Sequence, residues 1–143
     1  MKGTESLNHT RWECKYHVVF IPKCRKKMIY GQIRKELGPI LRDLAKRMEA
    51  TVEEGHLMPD HVHMLLSIPP KYSVSKVVGF MKGKAAIAIA RTFMGKTRNF
   101  VGQNFWARGF FVATVGRDEN KIRAYIRDQE KEDKRQDQLN LFK

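Results

Sequence analysis

Apolar and polar residues alternate over residues 12–21, WECKYHVVFI, so that Trp12, Cys14, Tyr16, Val18 and Phe20 recur at period two. In an extended chain those side chains share one face and His17 and Val19 take the other, which predicts a core strand. The following PKCRKKM breaks the alternation with Pro22 and four bases, and reads as an exposed loop able to receive a phosphate. From about 31 to 48 the period lengthens. Ile33, Leu37, Ile40, Leu41, Leu44 and Met48 fall at helical spacing, predicting a helix whose continuity Pro39 weakens by removing a backbone donor. Residues 51–57 read as a short strand, MPD as a turn, and HVHMLLSI at 61–68 as a second strand paired antiparallel to the first.

Helical spacing returns at 73–94, where Val74, Val77, Val78, Met81, Ala85, Ile89 and Phe93 line one side and Gly79 and Gly83 interrupt it. Residues 95–107 have no clean period and predict a loop, after which 110–115 have the composition of a strand. Asp118 is placed to cap a final helix on which Ile122, Tyr125, Ile126 and Gln129 share a face. The resulting order, β-α-β-β-α-β-α, predicts an α+β fold: a ferredoxin-like split βαβ sandwich with one additional C-terminal helix over 117–137. One layer of helices covers one sheet face and leaves the other available for function or for another subunit.

Length and charge narrow the function. A chain of 143 residues and 16.7 kDa holds one ordinary domain, here 1–143. Its 28 lysines and arginines exceed its 15 acids by 13, while an apolar content of 42% supplies a core and argues against a disordered basic tail. Between Asp60 and Asp118 there are nine bases and no acid, whereas residues 117–137 carry seven of each. The positive field thus belongs to the body, and a nucleic-acid backbone is its expected partner. Cys14 and Cys24 fit neither a disulfide framework nor a four-ligand zinc site, which points to a reduced intracellular setting. No apolar run resembles a signal peptide or a membrane span, so neither secretion nor a membrane is expected.

His61 and His63 flank Val62, so a strand projects both imidazoles from one face about 6.5–7 Å apart, while Val62, Met64, Leu66 and Ile68 face the core. Two neutral imidazoles can share one cation and leave positions for oxygen ligands, water and a substrate phosphate. Gln129, Glu53, Glu54 and Asp60 are all candidate further ligands. Tyr125 lies one helical turn before Gln129, which joins a phenol and an amide on one face. A phenol of ordinary pKa near 10 is a weak nucleophile at neutral pH unless the charge developing at the phosphate is stabilised.

HVH at 61–63 and YIRDQ at 125–129 resemble the two active-site motifs of the HUH single-tyrosine transposases, the IS-two-hundred-like branch of bacterial insertion-sequence enzymes. KYHVVFIPKCRKK at 15–27, GHLMPDHVHMLLSIP at 55–69 and FWARGFFV at 105–112 also resemble family segments, in order and over nearly the whole chain. The resemblance implies that His61, His63 and Gln129 hold a catalytic Mg²⁺ or Mn²⁺, and that Tyr125 attacks single-stranded DNA to form a 5′-phosphotyrosine with a free 3′-OH. It implies hairpin-bearing DNA ends as substrate, rejoining without ATP or another nucleotide cofactor, and a homodimer in which the tyrosine-bearing helix can complete the partner's site. Arg108, Lys82 and Lys84 are candidate DNA contacts along the basic surface. His17, opposite the core face of its strand, reads as an edge or interface histidine, with DNA contact as the alternative, and not as a catalytic group. A non-catalytic DNA- or RNA-binding module, and a replication initiator or relaxase using the same chemistry, are the competing readings; metal dependence separates the first, and rejoining of paired ends the second.

Overall fold

The computed structural model describes residues 5–7, 10–23, 27–93 and 105–116, and beyond them residues 120, 123, 124, 126–128, 130, 131, 134 and 135. Eight elements follow in order: β1 (Glu5–Leu7), β2 (Thr10–Trp12), β3 (Lys15–Phe20), α1 (Gly31–Arg47), β4 (Thr51–Met58), β5 (His61–Ser67), α2 (Val74–Phe93) and β6 (Phe111–Val115). The described positions from 120 to 135 are helical. β1 and β2 form a separate antiparallel pair. The other four strands make an open sheet in the order β4-β5-β3-β6, antiparallel at every junction. The protein is therefore an α+β fold with helices against an open sheet.

The strand expected over 12–21 is two strands. β2 pairs with β1 and ends at Trp12, and the chain re-enters the main sheet at Lys15, with the Cys14 carbonyl accepting the Ile68 amide at 2.9 Å. Cys14 is a free thiol; Cys24 and Asp118 lie outside the described residues. Pro39 does not break α1. The residue before a proline is crowded through its backbone N–H and its Cβ, and here it is Gly38, which lacks the Cβ and so part of that clash. Leu37, Leu41, Leu44 and Ala45, on both sides of that proline, remain buried.

Alternation in β5 builds the core. Val62, Met64, Leu66 and Ile68 join Val18 and Phe20 of β3, the buried face of α1, and Val77, Val78, Met81, Ala85, Ala86 and Ile89 of α2 in one apolar cluster. Full burial of each large aliphatic side chain there contributes roughly 1.5–3 kcal/mol. The aperiodic stretch before β6 adds two anchors that its pattern concealed. Phe105 and Trp106 are buried, Trp106 packs edge-on to Phe20 at 4.7 Å and bridges Pro22, and paired backbone bonds (Lys23 N to Phe105 O, Ala107 N to Ile21 O, both 2.8 Å) tie the two segments together. In β4 the pairing with β5 shifts between Val52 and Glu54, leaving Glu53 as an extra residue. Among the described residues no helix is long and apolar enough to cross a membrane.

Candidate active site

The sheet face opposite the core cluster gathers the polar groups. Register places His17 of β3 opposite Leu65, Val19 opposite His63, and His56 of β4 opposite His63, so three adjacent strands contribute imidazoles to this face. The rings of His61 and His63 lie 4.5 Å apart, and His17 lies 5.4 Å from His63 with its other side edge-on to Phe111 at 6.2 Å. The alternation thus brings His61 and His63 together as expected. His17 belongs to the same cluster, and His56, which lies in the family-like segment 55–69 without having been singled out there, joins it from β4.

His61 donates from Nδ1 to Asp60 Oδ1 at 2.7 Å. A ring that donates from Nδ1 keeps its lone pair on Nε2, the arrangement in which a carboxylate orients a ligating histidine. Asp60 accordingly serves His61, the role of an orienting group. Burial lowers the His63 pKa to about 4, with the neighbouring His61, His17 and His56 acting in the same direction and Glu130 against it, so His63 is neutral at physiological pH. Burial also lowers the His17 pKa. The buried Nδ1 of His63 has no hydrogen-bond partner among the described residues, and a buried polar atom so placed calls for a partner. Two adjacent imidazoles, one oriented by a carboxylate and one kept neutral by burial with an orphaned nitrogen, fit a divalent cation. Among the described residues no group of three or more His, Cys, Asp or Glu is placed to hold one, so further ligands must come from elsewhere.

The C-terminal helical residues dock on this face. Arg123 reaches Glu53 (3.3 Å) and Glu54 (3.8 Å), Arg127 donates to Glu54 (2.9 Å), and Glu130 contacts Nδ1 of His56, whose Nε2 lies 3.3 Å from Glu54. Residues 123, 127 and 130 recur at helical spacing, and Ile126, fully buried yet outside the main cluster, lies on the same side. Leu65, on this sheet face, is likewise fully buried outside that cluster. Glu53 and Glu54, candidate ligands by sequence, are instead engaged by arginines, and Glu53 also by the buried Lys15 at 4.0 Å. Tyr125 and Gln129 lie outside the described residues.

The basic candidates separate. Lys82 is half-buried and donates to the carbonyls of Ala107 (2.9 Å) and Gly109 (2.6 Å), and burial lowers its pKa. It thereby fixes the turn that exposes Arg108, where Gly109 takes a positive φ of 75° that a residue with a Cβ rarely adopts. Lys84, two residues on and so rotated roughly 200° about the helix, lines a groove with Asp43 and Arg47 of α1 and Arg91 of α2.

Comparison with known proteins identifies the family. A family described as "Transposase IS200 like" matches residues 10–129. The chain is 43% identical over 141 residues to the transposase for insertion sequence element IS200 of Salmonella typhimurium, covering 99% of this chain and 93% of that one, and equally to that of Salmonella typhi. It is 29% identical over 119 residues to the ISDra2 transposase TnpA of Deinococcus radiodurans, covering 82% and 85%. A 1.90 Å crystal structure of a protein assigned as a transposase from Deinococcus radiodurans superposes with a TM-score of 0.67 at 27% identity, over 87% of this chain and 96% of that one. A REP-associated tyrosine transposase bound to a REP hairpin shares the fold, with a TM-score of 0.56 at 12% identity over 76% and 59%. A match from β2 through the docked helical residues, spanning both the histidine strand and YIRDQ, makes this chain a member of the IS200-like family of single-tyrosine transposases, which cleave and rejoin single-stranded DNA.

Proposed function

We propose that Tyr125 is the nucleophile of this reaction and that His61 and His63, with Gln129, hold the divalent cation, Mg²⁺ or Mn²⁺, that assists it. The observation that carries the reading is the pair of adjacent imidazoles, one oriented by Asp60 and one with an orphaned Nδ1, beneath docked helical residues that bracket Tyr125 in sequence. When bound, the cation stabilises negative charge developing on the phosphate. The Tyr125 oxygen, losing its proton, forms a bond to phosphorus. The bond from phosphorus to the 3′ oxygen breaks, and that oxygen takes up a proton and leaves as a 3′-OH. A 5′-phosphotyrosine remains, and attack on it by a 3′-OH reverses the exchange, so strands are rejoined with no nucleotide cofactor. Asp60 keeps His61 in the ligating tautomer, and burial keeps His63 unprotonated.

The strand order β4-β5-β3-β6 with its two intervening helices supports the ferredoxin-like split βαβ plan, with residues 117–137 as the tyrosine-bearing helix of a single catalytic domain over 1–143. The substrate is single-stranded DNA with hairpins near the element ends, held by the basic body; Arg108 and Lys84 contact phosphate, and Lys82 acts there through the turn that it fixes. β6 ends the sheet with Phe111 and Val112 exposed, which supports pairing of two copies as a homodimer. The setting is the bacterial cytoplasm, where the DNA is.

Incubation of the protein with hairpin-bearing single-stranded ends and Mg²⁺ or Mn²⁺ tests the reading. It yields a denaturation-resistant protein–DNA adduct, lost on chelation and in Tyr125→Phe. An adduct that survives Tyr125→Phe assigns the nucleophile elsewhere, and no adduct from a verified substrate removes the mechanism.

A further inference from the structure

Between the start of α1 and the β4–β5 turn lies a cavity of about 320 Å³, adjoined by a second that reaches His56. Its floor is apolar, made by Leu57, Met58 and Pro59, and Tyr30, Arg34 and Lys134 stand around it. Two backbone-directed bonds make this a built feature: Ile29 N donates to Pro59 O at 2.9 Å, and Arg34 Nε donates to Leu57 O at 3.0 Å. Tyr30 is 64% exposed, the most exposed of the large hydrophobic side chains among the described residues. The first turn of α1 carries no acid, and no described carboxylate pairs with Arg34.

An exposed phenol ring beside an apolar hollow accepts a flat, weakly polar surface, and the cations beside it require a negative charge on the same ligand. A nucleotide meets both demands. An acidic peptide meets the second and meets the first only where an aromatic side chain stands beside its acids, whereas a nucleic-acid strand carries a planar base and a phosphate at every residue. Position then says which nucleotide. Met58 pairs with His61 and Leu57 with Val62 across the ladder, so the cavity floor is the end of the hairpin that carries the histidines. A strand with one phosphate at those histidines has its neighbouring nucleotide within reach of the cavity.

We propose that this cavity is a nucleotide subsite of the transposase. It takes a nucleotide flanking the scissile phosphate of single-stranded DNA, with the base against Tyr30 and the phosphate between Arg34 and Lys134. The assignment rests on the site proposed above. Because Lys134 belongs to the C-terminal helical residues and pairs with Glu130 at 3.2 Å, a bound nucleotide also bridges those residues to the body.

The test is an abasic scan. Fluorescence anisotropy measures the binding of single-stranded end oligonucleotides with one base removed at each position near the cleavage site, for wild type, Tyr30→Ala and Tyr30→Phe. Stacking of one base on an aromatic ring corresponds to about 5- to 150-fold in affinity. In wild type, one or two adjacent positions next to the cleavage site lose affinity in that range when abasic. Tyr30→Ala abolishes that positional loss, and Tyr30→Phe keeps it. Arg34→Gln lowers the slope of log affinity against log salt by roughly 0.7, the share of one phosphate on a single strand. The proposal is overturned if Tyr30→Ala weakens all positions equally or none, or if the positional loss persists in it. The Tyr125-dependent adduct, measured on the same oligonucleotides, reports separately on the catalytic reading: adduct without a Tyr30-dependent position removes the subsite alone.

Discussion

Replacing Ile126 by alanine asks whether the C-terminal helical residues are held on the sheet by their own local contacts. Ile126 is fully buried, it lies outside the main core, and its companions are ion pairs. Arg127 is 53% exposed in its pair with Glu54, and such pairs contribute little in water, about 0–1 kcal/mol. The more enclosed pairs of Arg123 and Glu130 stay in place in the variant, so the change measured is that of the apolar contact. Ile126→Ala removes three carbons at about 0.8 kcal/mol each, roughly 2.4 kcal/mol, and any uncollapsed cavity adds to that. A loss of 2.4 kcal/mol shifts a docking equilibrium by about 60-fold. Hydrogen exchange read by mass spectrometry on peptides spanning 120–131 measures this shift, with peptides from β3 and β5 as internal reference. The expected result is a fall in protection of about that size in 120–131, unchanged protection in the two central strands, and a lower adduct yield. Equal loss in both regions would show that the helical residues and the sheet unfold as one cooperative unit, and unchanged protection would show that Ile126 does not hold them; either outcome refutes the reasoning.

Three further outcomes follow from the site and its surroundings. Asp60→Asn removes the charge that orients His61 and weakens Mn²⁺ binding by about 10- to 100-fold, measured by electron paramagnetic resonance titration independently of DNA cleavage. Without metal, the folded chain leaves His63 neutral down to about pH 4 while the unfolded chain protonates it near 6.5, so the unfolded state binds more protons between those values and stability falls as pH drops through that window; urea midpoints at pH 7 and 5 show the loss, and His63→Gln diminishes it. Lys82→Met removes two charge-assisted bonds to Ala107 and Gly109, costing about 3 kcal/mol at the low end of about 1.5 each, or roughly 10 °C in Tm by calorimetry.

Much of the fold is legible in the chain because its central elements obey one period at a time. β5 alternates from His61 to Ile68 with Leu65 as its one exception, so its two faces separate on inspection, and α1 and α2 show their buried stripes directly. The site is legible only as far as it lies on that one strand. His17 joins it through strand order, since β3 sits beside β5 across a long connection, and no local pattern encodes a neighbour so distant. Phe105 and Trp106 were hidden because irregular backbone places side chains by tertiary contacts, here with Phe20 and Pro22, and leaves no period to read. The end of β2 ran into the alternation of β3 because nothing in WECKY marks the change of sheet.

The extra residue in β4 has a wider consequence. Val52 and Leu57 both contact the core although five residues separate them, an odd step that a regular strand would send to opposite faces. Glu53 absorbs the odd step and so sets the phase of everything after it. Were Glu53 paired regularly instead of bulged out, Glu54 and His56 would rotate inward among the aliphatic side chains and Leu57 would turn to the histidines, whereas deleting Glu53 would leave their faces unchanged. Losing the bulge without losing a residue would exchange the acid–base face of the protein for its oily one, so the histidine face depends on the register of this strand more than on the chemistry of any one of its residues.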